Sequence, residues 1–193
     1  MILESEYDPS QVAAARERFF VISGCSGSGK SSLLSELARR GYRTFDEPGR
    51  QIVKEQQSID GDALPWSNAE RFIDQVIVRA MHQMITAARF QSIAFFDRGV
   101  VDAVTALERM QVPVAEPYKR ALELYGHNRK VFLSPPWPEI YSTDNERKHA
   151  FEDAARECAA LEEAYPRHGY DLVVLPKIDI AARADFVLSV VGG

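Results

Sequence analysis

The sequence predicts an α/β protein, a five-stranded parallel sheet covered by helices on both faces in a three-layer sandwich. Three observations carry this. Five short apolar runs rich in β-branched and aromatic residues recur along the chain. Amphipathic stretches at helical spacing separate them. The runs read as buried strands, and short apolar strands separated by helices are the mark of a parallel sheet covered on both faces.

The elements follow in order. Gln11 to Arg18 reads as a helix packing outside the sheet. Arg18 to Ser23 is the first strand. Lys30 to Arg40 carries Leu33, Leu34 and Leu37 on one face and stops at Gly41. Tyr42 to Phe45 is the second strand, and Pro48 to Gln57 a helix opening at proline. Gln57 to Pro65 is polar and turn-rich. Ser67 is expected to start a long helix through a capping box, Ser67-x-x-Glu70. Its apolar stripe is Phe72, Ile73, Val76, Ile77, Ala80, Met84, Ile85 and Ala88. Ser92 to Phe96 is the third strand and ends in Asp97. Helices are predicted at Val100 to Met110 and Pro117 to Tyr125. Lys130 to Leu133 is the fourth strand, and SPPWPEIYSTDNERKH after it is irregular. Phe151 to Tyr165 is a helix, Leu172 to Leu175 the fifth strand, and Ile180 to Val191 a closing helix.

The bounds agree with a soluble globular chain. It has 193 residues, 46% hydrophobic and 26% charged, with a net charge of −5. There is no block of like charge, which argues against nucleic-acid and membrane-surface partners. MILESEYDPS shows neither a basic end nor an apolar signal core, so a cytoplasmic setting is expected. The two cysteines make no disulfide framework. Neither an internal repeat nor a linker is visible, and the chain reads as a single domain, 1–193.

The chemistry begins at GCSGSGKSS, residues 24–32, directly after the first strand. Gly24 to Ser31 fits G-x-x-x-x-G-K-[ST], a phosphate-binding loop between a strand and a helix. Its glycines let backbone N–H groups turn toward phosphate oxygens. The helix starting at Lys30 adds its positive end. Gly24, Ser26, Gly27, Ser28, Gly29, Lys30, Ser31 and Ser32 are the expected nucleotide contacts. Lys30 supplies a point charge to the β- and γ-phosphates, and the Ser31 hydroxyl reaches Mg²⁺. A glycine–serine turn with a helix cap would not require the Lys-Ser pair. Cys25 reads as a small spacer.

Companions sit at other strand ends, which parallel strands place on one edge of the sheet. Asp97 is the candidate carboxylate for Mg²⁺, and Arg98 a cation for phosphate. The bland alternatives are a helix N-cap and a surface arginine. Glu47, in FDEPGRQIV, is a candidate general base for an acceptor hydroxyl, and Arg50 a clamp for an acceptor anion. Turn chemistry around Pro48 is the alternative.

With these motifs the sequence resembles kinase-like P-loop proteins, the small bacterial AAA-type predicted ATPases. Their relatives include ribosylnicotinamide kinase domains and nucleoside and nucleotide kinases. The resemblance spans about residues 18 to 191 and rests on GCSGSGKSS, DEPGRQIV, FFDRGVVD, PPWPEIYSTDNERK and VVLPKIDIAARADFVL. It implies the strand order 2-3-1-4-5. It also implies a short lid at 134–149 and an N-terminal extension at 1–17. On it, Glu47 meets the acceptor hydroxyl, Asp97 serves the metal shell, and Arg98 serves the transferring phosphate or the acceptor. Arg147 is the lid arginine, with Lys148 a weaker candidate, and Pro176 and Lys177 lie near the nucleotide base. Arg183 is read as structural. The acceptor pocket is expected to draw on Trp66, Arg71, Phe72, Gln75, Arg79 and Asp102. Trp66 either stacks on a ring or is buried against the long helix. Arg71 and Arg79 either flank an anion or are solvated. The sensor elements and second helical domain of a ring-forming AAA motor are absent from the sequence, as is an NKxD-type guanine signal.

Two functions stay open. The first is a kinase moving the ATP γ-phosphate to a small-molecule acceptor, nucleoside- or nucleotide-like, with Mg²⁺. The alternative is a regulatory ATPase or nucleotide-dependent switch acting on a protein partner. A homodimer is left open.

Overall fold

The computed structural model describes residues 7–140 and 151–192. Its strands are β1 (Phe19–Gly24), β2 (Arg43–Phe45), β3 (Ala94–Asp97), β4 (Lys130–Ser134) and β5 (Asp171–Val174). All pair in parallel, in the order β2-β3-β1-β4-β5. The helices are α1 (Gln11–Ala15), α2 (Lys30–Arg39), α3 (Pro48–Ser58), α4 (Ala69–Ala88), α5 (Val100–Arg109), α6 (Glu116–Leu124), α7 (Phe151–Arg167) and α8 (Ile180–Val191).

Strand alternation makes the layers. Phe20 and Ile22 of β1, with Phe95 and Phe132, point to one face and pack on Leu33, Leu34 and Leu37 of α2 and on Ala184 and Val187 of α8. Phe19 and Val21, with Phe96, Val131 and Leu133, point to the other face, which α4, α5 and α7 cover. Every residue of β1 is buried, as the central strand of such a sandwich must be. Phe45 of the edge strand β2 stacks on Phe96 with ring centroids 4.8 Å apart.

The start of α4 differs from the expected capping box. The N-cap is Asn68, whose side chain accepts from the Arg71 amide at 3.2 Å. Ser67 belongs to the preceding turn, its amide bonded to the Leu64 carbonyl at 3.1 Å. Asparagine caps as well as serine does, and the turn decides which is in place. The apolar stripe of α4 is otherwise as read, with Ile73, Ile77, Ala80, Met84, Ile85 and Ala88 buried. Trp66, in contrast, does not pack beneath α4, being 66% exposed. The N-terminal helix is short, and Val12 and Ala15 fix it to the main core beside α4. Among the described residues no helix is long and apolar enough to cross a membrane.

The register sets the functional edge. Gly24 of β1 lies opposite Ser134 of β4, and Ile22 opposite Asp97 of β3. Phe45 of β2 lies opposite Phe96. The phosphate loop, Asp97-Arg98, Asp46-Glu47 and the segment after Ser134 therefore leave the sheet side by side at its C-terminal edge.

Candidate active site

Residues 24–31 run from β1 into α2 through three glycines with positive φ: Gly24 at +124°, Gly27 at +76° and Gly29 at +84°. Two of them are geometrically required. A Cβ on Gly24 would stand 2.2 Å from the Ser134 carbonyl oxygen, so β4 approaches the loop too closely for any side chain. Gly29 is the left-handed N-cap of α2, and the amides that follow it have no preceding helical carbonyl to bond. Ser28 Oγ donates to the Cys25 carbonyl at 2.8 Å. Lys30 is buried across the loop, its Nζ donating to the Gly24 carbonyl at 2.9 Å and the Cys25 carbonyl at 2.7 Å. An ammonium has three protons, so one remains for a ligand.

The outer side of the loop is held by a residue read from sequence only as structural. Arg183 of α8 is 0% exposed. It donates to the Ser28 carbonyl at 3.2 Å and to Ser134 Oγ at 2.6 Å. Ser134 Oγ in turn donates to the same Ser28 carbonyl at 2.7 Å. In a trans peptide the Ser28 carbonyl and the Gly29 N–H point oppositely. Fixing the carbonyl outward thus fixes that N–H inward. No carboxylate pairs with Arg183 among the described residues, and burial lowers the pKa of its guanidinium.

Asp97 closes β3 and is buried. It does not cap α5, whose N-cap is Gly99. Its Oδ2 accepts from Ser31 Oγ at 3.4 Å, a long contact, and its Oδ1 is buried without a partner. Burial raises its carboxyl to about 6; Glu47 adds to the rise, and Lys30, Arg98 and Arg50 oppose it. An under-satisfied carboxylate beside a serine hydroxyl suits a hard cation such as Mg²⁺, which takes oxygen ligands.

Arg98 follows with φ +70°, a left-handed conformation rare outside glycine. It is not a surface arginine. Its guanidinium meets Glu157 Oε1 at 2.7 Å and Glu47 Oε1 at 3.3 Å, with Asp102 Oδ1 at 3.8 Å. Burial opposes its charge, but Glu157, Glu47, Asp102 and Asp97 together hold it firmly protonated.

Glu47 occupies the N-cap position of α3 without using its side chain as a cap. That side chain turns to Arg98 and to Arg50 Nε, 3.1 Å away. Burial pushes its carboxyl up, but Arg98, Lys30 and Arg50 outweigh this and hold it below the usual range. Two neighbours set its place. Gln83 of α4 donates to the Asp46 carbonyl at 2.9 Å, and Gly49 admits the Phe72 ring against the turn.

Other expectations need correction. Asp102 faces the core, not an acceptor pocket. It accepts from Ser23 Oγ at 2.5 Å and the Gly99 amide at 2.8 Å, and also from Tyr165 Oη. It anchors the Asp97–Gly99 turn. Arg71 pairs with Asp62 at 2.6 Å and Arg79 with Glu55 at 2.8 Å, both as solvated pairs. Gln75 accepts from Gln56 at 3.4 Å. Pro176 follows β5 at the same sheet edge, half-buried. Arg147 and Lys148, and with them residues 141–149 of the expected lid, lie outside the described residues.

Sequence reading missed Glu157. From α7 it accepts the Ser26 amide at 3.1 Å and pairs with Arg98. Burial raises its carboxyl, but Arg98 and Lys30 dominate and hold it low. It is one of several acids on α7, and no spacing singled it out.

Solved structures of similar fold include a deoxyadenosine kinase, NadR and a shikimate kinase. Deoxyadenosine kinase from M. mycoides, described with dCMP and dCDP bound, has 16% identity and a TM-score of 0.63, over 90% of this chain and 98% of that one. NadR in complex with NR has 20% identity and a TM-score of 0.64; the match covers 92% of this chain and 53% of NadR. Shikimate kinase from Acinetobacter baumannii, in complex with shikimate, has 14% identity and a TM-score of 0.54, over 93% and 96% of the two chains. At these identities the likeness establishes the P-loop kinase fold. No curated protein matches the sequence. The AAA domain family matches residues 19–183, from the first strand through Arg183, and the chain belongs to that family of P-loop proteins.

Proposed function

We propose that this protein is an ATP-dependent phosphotransferase acting on a hydroxyl of a small, nucleoside- or nucleotide-like acceptor. The observation that carries the reading is the meeting of Glu47 and Arg98, 3.3 Å apart, beside the phosphate loop. A protein that only held nucleotide would need the loop, but not an ionised carboxylate buried beside it. The neighbours described with dCMP, dCDP, NR and shikimate suggest the size of the acceptor.

The roles follow from the chemistry. The loop amides and Lys30 bind and orient the polyphosphate. Ser31 and Asp97 would hold Mg²⁺, which supplies charge neutralisation on the phosphate oxygens when bound. Glu47 accepts a hydrogen bond from the acceptor hydroxyl and aims its oxygen at the γ-phosphorus. Its low pKa makes it a weak base. That suits a loose transition state, in which the hydroxyl loses its proton late and positioning matters most. Arg98 is the proposed cation for the charge on the transferred phosphoryl group. Arg147 is the proposed lid cation, and Pro176 the proposed neighbour of the nucleotide base.

The test is ADP release from ATP–Mg²⁺ with a panel of nucleosides, nucleoside monophosphates, nicotinamide riboside and shikimate. Stimulation by one acceptor, with phosphate recovered on its hydroxyl, supports the assignment. ADP release indifferent to every acceptor refutes the phosphotransferase and leaves an ATPase.

A further inference from the structure

We propose that Cys25 and Cys158 form a reversible disulfide that clamps the phosphate loop to α7 and closes the nucleotide site. The sequence holds two cysteines, and the fold brings both to the same place. Cys25 is the second residue of the loop, Cys158 lies in mid-α7, and both are free, 1% exposed and in one core cluster. Their chain neighbours are tied together, since the Ser26 amide donates to Glu157 at 3.1 Å. Each thiol also shifts the other's ionisation, Cys158 bringing Cys25 down and Cys25 pushing Cys158 up. Two buried thiols in one core, on a loop and a helix already joined one residue away, are placed for a bond that neither element could make alone.

The surroundings divide the roles. Cys25 sits near the cations Lys30 and Arg98. Cys158, then these cations, bring its thiol down to about 7 against burial and Glu157. Cys158 keeps its proton, and Glu162 Oε1 lies 3.9 Å from its sulfur. Cys25 is thus the attacking thiolate and Cys158 the resolving thiol.

The oxidant is a peroxide, small enough to reach a buried sulfur. The Cys25 thiolate attacks one peroxide oxygen, the O–O bond breaks, and Cys25 sulfenic acid and hydroxide result. Cys158 then attacks the Cys25 sulfur and yields its proton toward Glu162. The S–S bond forms, the S–O bond breaks, and the departing hydroxide takes that proton from Glu162 and leaves as water. Overall, two thiols and one hydrogen peroxide give one disulfide and two waters. The two sulfurs are oxidised and the two peroxide oxygens reduced.

The consequence rests on the nucleotide reading of the loop; the bond itself does not. A disulfide holds its sulfurs at about 2.05 Å, far closer than two unbonded sulfurs can pack. Closing that gap draws Cys25 toward α7 and strains its carbonyl away from Lys30 and Ser28. It also fixes Glu157 on the Ser26 amide and on Arg98, so that a fixed carboxylate holds groups a phosphate would use. Losing one or two charge-assisted bonds predicts about ten- to a hundredfold weaker ATP binding.

The experiment uses the reduced full chain, treated with graded hydrogen peroxide, quenched with catalase and split in two. One portion is denatured, alkylated and digested with trypsin. The expected product is a peptide pair linking residues 19–30 to 157–167, lost on adding dithiothreitol. The other portion is titrated with ATP–Mg²⁺ in a thermal-shift assay. The expected result is weakened binding that dithiothreitol restores. Cys158→Ser lies outside the phosphate cradle. It should bind ATP as the parent does before peroxide, give no crosslink after it, and yield a Cys25 sulfenic acid that dimedone traps. Absence of the linked peptide, or a crosslinked protein with unchanged ATP affinity, overturns the proposal. A reduced protein that never binds ATP overturns the nucleotide reading and the closure with it, while the peptide map still decides the bond.

Discussion

Replacing Asp97 with asparagine should stabilise the ligand-free protein while disabling it. Asp97 is buried, its Oδ1 lacks a partner, and its carboxyl is raised from 3.8 to about 6 in the fold. A raised carboxyl means that the folded state holds the proton more tightly than the unfolded one. The native state therefore bears no penalty below about pH 4. The penalty grows as pH rises between 4 and 6, and it is fully present above 6. A shift of roughly two units corresponds to about 3 kcal/mol at pH 7. Asparagine keeps the shape and an oxygen for Ser31 but carries no charge, so most of that penalty disappears. For a chain of this size about 3 kcal/mol is worth roughly 6–12 °C in Tm. The assay is thermal and urea unfolding of both proteins from pH 4 to 7.5, in EDTA and without nucleotide. The difference between them should be small at pH 4 and open toward pH 7, because other titrating groups cancel. The same variant should lose the additional stabilisation that Mg²⁺ gives to ATP binding. An asparagine variant less stable than the parent at pH 7, or a difference flat with pH, would refute the burial argument.

The remaining predictions address the loop and the acceptor side. Lys30→Ala should weaken ATP binding by at least about tenfold and abolish turnover, as read by thermal shift and ADP release. Full turnover there sinks the phosphate cradle. Glu47→Gln should retain ATP affinity within about twofold yet lose transfer to the acceptor by about a hundredfold or more. Measured transfer near the parental rate would remove Glu47 from the chemistry. Arg183→Met should reduce ATP affinity without touching the acceptor constant, because it frees the Ser28 carbonyl and so the Gly29 amide. Partial recovery in Arg183→Lys is expected, and an unaltered ATP affinity in Arg183→Met would leave the residue a packing role only. Arg147→Ala should mainly lower kcat, and an unchanged kcat would remove it from the lid role.

How much of this was legible in the sequence depends on the range of the interaction. The phosphate loop was readable because eight consecutive residues carry the whole device, and three of its glycines adopt the positive φ that their identity permits. Asp97 and Glu47 were readable as neighbours because one ends a strand and the other follows a strand by two residues, and parallel strands deliver such ends to one edge. The same local signal failed where two candidates adjoined. Ser67 and Asn68 both cap well, and the hydrogen bond from Ser67 to Leu64 settled the choice. Of the two readings of Trp66, burial against α4 failed because the turn before α4, not hydrophobicity, decides which side chains face the helix. Asp102 carried an unused clue, being three residues past Gly99, where an acid reaches back to the N-cap amide.

Glu157, Arg183 and the Cys25–Cys158 contact were beyond reach for a common reason. Each becomes functional only when α7 or α8 packs beside β1, and nothing in a helical repeat says which of its turns will meet a distant loop. The loop supplies N–H groups, but α7 places a carboxylate against one of them and α8 fixes the direction of another. On the proposed reading its affinity for phosphate is therefore set partly from outside the motif, by the helices that hold these two groups. The motif specifies that phosphate binds. The helices around it specify how tightly, and under which conditions.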